Sequence, residues 1–268
     1  MITAAAAQSS LIAKATNNQT LLKAVDFATL DDEQRQLEEQ FSRLANPWYY
    51  ERKRNYWRNV IDKDKNKRGK FVGDDGLPRV IKFRDTSQRA CSFLGEPIIA
   101  KDKSGLIFKK VAEGGYKEHV FPSGIRAEQL LLPWLVYERI AKKVEETIEQ
   151  TELSEREFAR EMLQYGRLTA VALVGDALRK YYKVEPMLYF DLNLTKELLD
   201  KLDKWGEPIA ESTINYILNV AKEKKNWRDS GARSTFRKMQ TYDQDLKPGY
   251  ITFFVASKSL YAPSLPSI

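Results

Sequence analysis

From residue 29 to residue 224 apolar side chains recur every three or four positions, which is the pattern of helices that each bury one face. Thr29 is placed to cap a first helix with Asp31, Asp32 and Glu33 in its opening turn and Leu30, Leu37, Phe41 and Leu44 on one side, ending near Asn46-Pro47. A second helix is predicted from Pro78, with Val80, Ile81, Phe83, Ala90, Cys91, Phe93 and Leu94 mostly on one side and Gly95 and Pro97 closing it. Leu130 to Ile148 reads as a long helix with Leu131, Leu132, Leu135, Val136, Ile140 and Val144 inward. Ser154 opens another that reaches Tyr182, and two more are predicted at Leu194 to Trp205 and Glu207 to Lys224. After Lys225 the periodicity is short, with an apolar patch at Ile251 to Val255. Before the helices, Leu11 to Thr16 reads as a strand running into a polar turn at Asn17-Asn18-Gln19-Thr20. The expected fold is mainly α, with a small α/β N-terminal portion. It divides into residues 1–62, a flexible loop at 63–77, and a helical domain at 78–268.

Charge changes this picture at one place. The chain of 268 residues carries 44 Lys and Arg against 37 Asp and Glu, a net +7, and between Glu51 and Lys70 there are nine Lys/Arg against three Asp/Glu. This most basic stretch is interleaved with Trp48, Tyr49, Tyr50, Tyr56 and Trp57. Rings can stack on bases and cations can neutralise phosphates, so the segment is a candidate single-strand or backbone-binding surface. The alternative is that the rings are core and the cations merely the outward side. If the segment alternates as a strand, Tyr50, Arg52, Arg54 and Tyr56 share one face, and Tyr49, Glu51, Lys53 and Asn55 the other. The amide groups of Asn17, Asn18 and Gln19 suit either the ordering of a turn or contact with a base or phosphate edge.

Other chemistry is sparse. Glu51-Arg52-Lys53 fits the Glu-x-Lys half-motif of Mg²⁺-dependent nucleases, with Asp26 or Asp31 as the second carboxylate. The same Glu51 could instead make local ion pairs on a solvated edge. One cysteine, Cys91, excludes an internal disulfide, and together with one histidine, His119, it excludes a structural zinc site. Cys91 reads as a buried small residue and His119 as packing or surface. Asp62, Asp64 and Asp74-Asp75-Gly76 are loop residues, too interrupted by lysine for a calcium loop. No cofactor is expected unless the nuclease reading holds, in which case it is Mg²⁺. Mean hydropathy is −0.52 and no apolar run approaches a membrane span, so no membrane partner is expected. Residues 1–10 lack the charged start and apolar stretch of a secretory signal, which predicts a cytoplasmic protein.

The order Ala15-Thr16-Asn17-Asn18-Gln19-Thr20, Asp26-Phe27, Gln34 and Tyr49-Tyr50-Glu51-Arg52-Lys53-Arg54 resembles the latter part of the abortive-infection phage-resistance family, abbreviated AIPR. Gln88 to Pro97, and Phe108 to Tyr116 leading into the helix at Leu130, are similar to the succeeding stretch of that family, so the resemblance spans about Leu11 to Ile148. It implies bacterial antiviral defence and, as partners, nucleic acid or other defence-system or phage proteins. Members of the family usually carry a region upstream of the Ala-Thr-Asn segment with nuclease-like acidic motifs. With ten residues before Leu11, the expectation is a truncated or split member. The role expected is recognition or assembly, with a metal nuclease and a protein-only phage sensor as the two alternatives.

Overall fold

The computed structural model describes residues 28–53, 55–256 and 265–266. The predicted strand at 11–16 and turn at 17–20 lie outside them. Helix α1 spans Asp32–Ser42 and leads into strand β1, Tyr49–Glu51. β1 pairs in parallel with β2, Val80–Lys82, in the register Tyr49 to Val80 and Tyr50 to Ile81. A parallel pair cannot be closed by a tight turn, so residues 52–79 form a crossover connection whose two ends are fixed side by side. The crossover holds a wide helical turn at Trp57–Ile61 and a short helix α2, Lys65–Gly69. Helices α3 (Phe83–Phe93), α4 (Pro97–Asp102) and α5 (Lys117–Val120) come next. Then come the two longest, α6 (Ala127–Gln150) and α7 (Leu153–Tyr182), and after them α8 (Leu192–Asp200) and α9 (Leu202–Glu223). The last helices are α10 (Lys225–Ser230), α11 (Ala232–Thr235) and, after a wide turn at Thr241–Leu246, α12 (Lys247–Ala256). The fold is mainly α with a small α/β part, as its periodicity requires. No helix among the described residues is long and apolar enough to cross a membrane.

Two cores share helix α6. Its first turns place Leu130, Leu131 and Trp134 among Leu37, Phe41, Tyr50, Ile81 and Phe83 of the N-terminal part. Its later turns, Val136, Ile140, Val144 and Ile148 at a spacing of four, face α7 and α9. Helix α7 is amphipathic only in its first half. From Thr169 to Arg179 every residue is buried, because α3, α6, α9 and α12 surround it.

Several boundaries differ from the periodicity, each for a local reason. Helix α1 starts at Asp32 with Asp31 at its N-cap, so Leu30 precedes the first turn and stays 59% exposed, while Gln34 takes a buried place. The helix expected from Pro78 starts at Phe83, because Val80 and Ile81, both β-branched, are used in the sheet. Residues 63–77, expected as a flexible loop, fold as α2 and a tight turn. Asp64 caps α2 by accepting from the Asn66 and Lys67 amides, Val72 bridges to Pro78, and the Asp75 carboxylate accepts from the Leu77 amide at 2.9 Å. Residues on both sides of that stretch build one core, with Leu37, Phe41 and Tyr50 against Ile81 and Phe83. The predicted break near Gly206 falls instead at Lys201. Gly206 lies inside α9, between the buried Leu202 and Trp205 and the buried Ile209 and Ala210, and close to the Arg139 side chain on α6. Beyond Lys225, where the periodicity is short, Trp227, Phe236, Tyr242, Tyr250 and Phe254 all enter the main core.

Candidate functional site

The basic aromatic segment sorts its side chains by the sheet it starts from. β1 is buried on both faces, so the strand alternation that would have put Tyr50, Arg52, Arg54 and Tyr56 on one side stops at Glu51. Tyr50 is fully buried, stacked on Phe41 at 5.0 Å, and its hydroxyl donates to Gln34 Oε1 at 2.8 Å. A ring so enclosed has no face left for a base, and its placement at a nucleic-acid surface is corrected. Tyr49 faces the other way, against Trp57 and Phe71, and with Ile61 these form a small core beneath the crossover. Burial pushes the Tyr49 phenol above its ordinary range, with the Glu38 and Glu51 charges adding to the effect.

Glu51 is also buried, and its Oε1 accepts from the Trp57 amide at 2.8 Å, capping the wide turn. Lys53, its partner in the Glu-x-Lys half-motif, is exposed with Nζ 5.9 Å above the exposed Tyr56 ring. The two do not converge on a shared site, and Glu51 is committed to its own chain. Asp31, one of the two second carboxylates considered, is the N-cap of α1 and pairs with Lys117 at 2.7 Å. Asp26, Asn17, Asn18, Gln19 and Arg54 lie outside the described residues. Among the described residues no group of three or more His, Cys, Asp or Glu side chains is arranged to hold a metal ion.

Arg52 is likewise a structural clamp. Its Nε and Nη2 grip Glu38 Oε2 at 2.7 and 2.5 Å, and Nη1 donates to the Thr29 carbonyl at 2.9 Å, tying β1 to α1. Arg52→Ala is therefore expected to cost about 1.5–3 kcal/mol of stability, the range for hydrogen bonds to charged groups. Chemical denaturation of the variant checks this, and full stability would refute the clamp.

What remains outward is a set of cations. Lys53, Arg58, Lys63, Lys65, Lys67 and Lys70 are all exposed, carried on the crossover. Lys67 is partly neutralised by Asp64 at 3.2 Å, and Arg68 lies 3.4 Å from Asp62. Backbone and side-chain hydrogen bonds from Lys67 hold the Asp64 carboxyl below its ordinary range.

A second polar constellation lies in the main core, and sequence periodicity missed it. Asp176 and Arg179, one turn apart in the buried half of α7, pair at 2.5 Å. Asp176 Oδ2 also accepts from the Tyr242 hydroxyl at 2.7 Å and meets Lys247 Nζ at 2.8 Å, while Arg179 Nη1 donates to the Phe93 carbonyl at 2.7 Å. Burial alone raises the Asp176 pKa, but the charge of Arg179 and the hydrogen bonds from Lys247 and Tyr242 bring it below the ordinary range. This cluster joins α3, α7, the wide turn after Met239 and α12. Its signal in the sequence is Asp176 inside the apolar run 168–178, with Arg179 three residues on at its end.

The family model described as AIPR protein matches residues 2–226. The chain belongs to the AIPR family. Membership implies a part in abortive-infection phage defence. No curated protein and no solved structure matches the chain. The AIPR match ends one residue before Trp227, so the main core is completed by residues beyond it.

Proposed function

We propose that this AIPR protein is a non-catalytic, nucleic-acid-binding part of an abortive-infection system, and that it holds the phosphate backbone on the crossover between β1 and β2. The observation that carries this reading is the division of the segment, with Tyr49, Trp57 and Phe71 turned inward and six cations from Lys53 to Lys70 left outward. Tyr56, 38% exposed, is a single ring and not a stacking platform, so base stacking contributes little, and affinity comes from counterion release, which is insensitive to base sequence. Glu51 supports the non-catalytic half of the reading, because its carboxylate serves as a cap.

The test is fluorescence anisotropy of a labelled duplex over a salt series with the wild type and with Arg58→Gln/Lys63→Gln/Lys65→Gln. Each phosphate that a variant no longer neutralises lowers the slope of log K against log salt by about 0.9, so the triple variant is expected to lose between about two and three. An unchanged slope in a folded triple variant refutes the assignment.

A further inference from the structure

Residues 222–238 carry seven Lys/Arg against two Asp/Glu, nearly the density of the crossover. The helices α10 and α11 sort them as the crossover does. Trp227, Ala232 and Phe236 enter the core, and Lys225, Arg228, Arg233, Arg237 and Lys238 are left exposed. Contacts tie this stretch to α4 and to the first half of α7: Arg237 Nε donates to Asp102 at 2.8 Å, and Arg228 pairs with Glu155 at 2.7 Å and lies over Phe158. Between them Lys101 Nζ donates to the Tyr165 carbonyl at 2.8 Å and lies over the Tyr165 and Phe236 rings, at 4.9 and 5.6 Å. The Tyr165 side is open, the residue being 40% exposed.

We infer that this face, made by α10, α11, the end of α4 and Tyr165, is a second surface for the phosphate backbone of a nucleic acid, separate from the crossover. It rests on the proposed function for the class of partner. A lipid surface needs an apolar face beside the cations, and here that face is in the core. A nucleic acid needs exposed cations and a ring to lie against, and Arg233, Lys238 and Tyr165 supply both kinds of group. The charge is also under-neutralised. The groups facing Lys101 are Asp102 on its own helix, Arg233 from α11 and Arg237 beside it, and the Tyr165 ring and carbonyl from α7. Burial, helped by the like charges of Arg237 and Arg233 and opposed by Asp102, brings the Lys101 pKa down to about 8. A docked polyanion offsets that repulsion, so binding takes up a proton at Lys101 and affinity falls as pH rises from about 7 to 9. Most of this surface lies after residue 226, so it is an addition to the part that matches the AIPR model.

The experiment compares the wild type, the crossover triple variant and Arg233→Gln/Lys238→Gln, with a labelled duplex and a labelled single strand over salt and pH. The double variant touches two exposed side chains and leaves the Arg237 to Asp102 pair in place. It is expected to lower the salt slope by about two on its own and to add to the effect of the crossover variant. Lys101→Arg, which stays charged, is expected to keep the affinity and lose the pH dependence. A slope changed only by the crossover variant overturns this inference and leaves the proposed function standing. A slope changed only by Arg233→Gln/Lys238→Gln does the reverse, and no binding by the wild type at low salt, or binding of an acidic peptide with equal strength, overturns both.

Discussion

Asp176→Ala is expected to destabilise the protein by about 3–5 kcal/mol, the cost of breaking a buried ion pair from one side. Arg179 is 2% exposed, and the substitution leaves its charge in the core with the Phe93 carbonyl and no carboxylate. Tyr242 and Lys247 lose their acceptor as well, which weakens the hold of α7 on the wide turn after Met239 and on α12. Urea denaturation measures the effect, with Tyr242→Phe as the milder companion at about 1.5–3 kcal/mol, because its hydroxyl bonds a charged carboxylate. An Asp176→Ala protein as stable as the wild type would show that the cluster is not what joins these elements. The pH dependence has a definite sign. A carboxyl held below its ordinary range contributes stability that is present above the unfolded value and lost as pH falls through the folded one, so acid weakens this joint. Glu96 acts in the opposite direction. Burial raises its pKa, as do the charges of Asp243 and Asp176 against the pull of Lys247, and its protonation on mild acidification favours the folded state.

Gly175→Ala is expected to be the most damaging addition of a single methyl group. A Cβ at this position would lie 2.0 Å from the Phe93 carbonyl oxygen and 2.9 Å from its carbon, both backbone atoms at the end of α3. Neither can rotate away, so α3 and α7 must part, and overpacking of this kind costs about 1–3 kcal/mol or more. The same carbonyl is the one Arg179 donates to, and Ser92 beside it donates to the Leu168 carbonyl. Separation of the helices therefore breaks polar contacts as well as apolar ones. A thermal melt of Gly175→Ala shows a markedly lower midpoint, and Gly175→Ala with an unshifted midpoint would contradict the close approach.

Helix existence was legible in the sequence, and helix ends were less so. Val136, Ile140, Val144 and Ile148 state both the presence and the inward face of α6. Val80 and Ile81 fit a helical face equally well as letters, and only their partners, Tyr49 and Tyr50 in the preceding strand, make them a strand. Gly206 and Pro208 look like a break because local preference says so. Burial of Trp205, Ile209 and Ala210 on one face of the helix overrides that preference. For the candidate site, the charge of the crossover is written in full along the chain but its sorting is not. That Arg52 is clamped to Glu38 and Tyr50 enclosed by Phe41 depends on contacts with α1, which no spacing within the segment encodes. The cations after Lys222 were hidden by the same limit, since their neighbours Lys101, Asp102 and Tyr165 lie far away in the chain.

The Asp176 cluster also sets an order of events during synthesis. Its carboxylate lies on a helix completed by residue 182, but the Tyr242 hydroxyl that donates to it comes 66 residues after Asp176 and Lys247 later still. Until those residues leave the ribosome, the wholly buried stretch of α7 has its charge pair only half supplied with donors and its side toward α12 uncovered. The nascent protein is thus committed to closing this centre late, with residues 242–247.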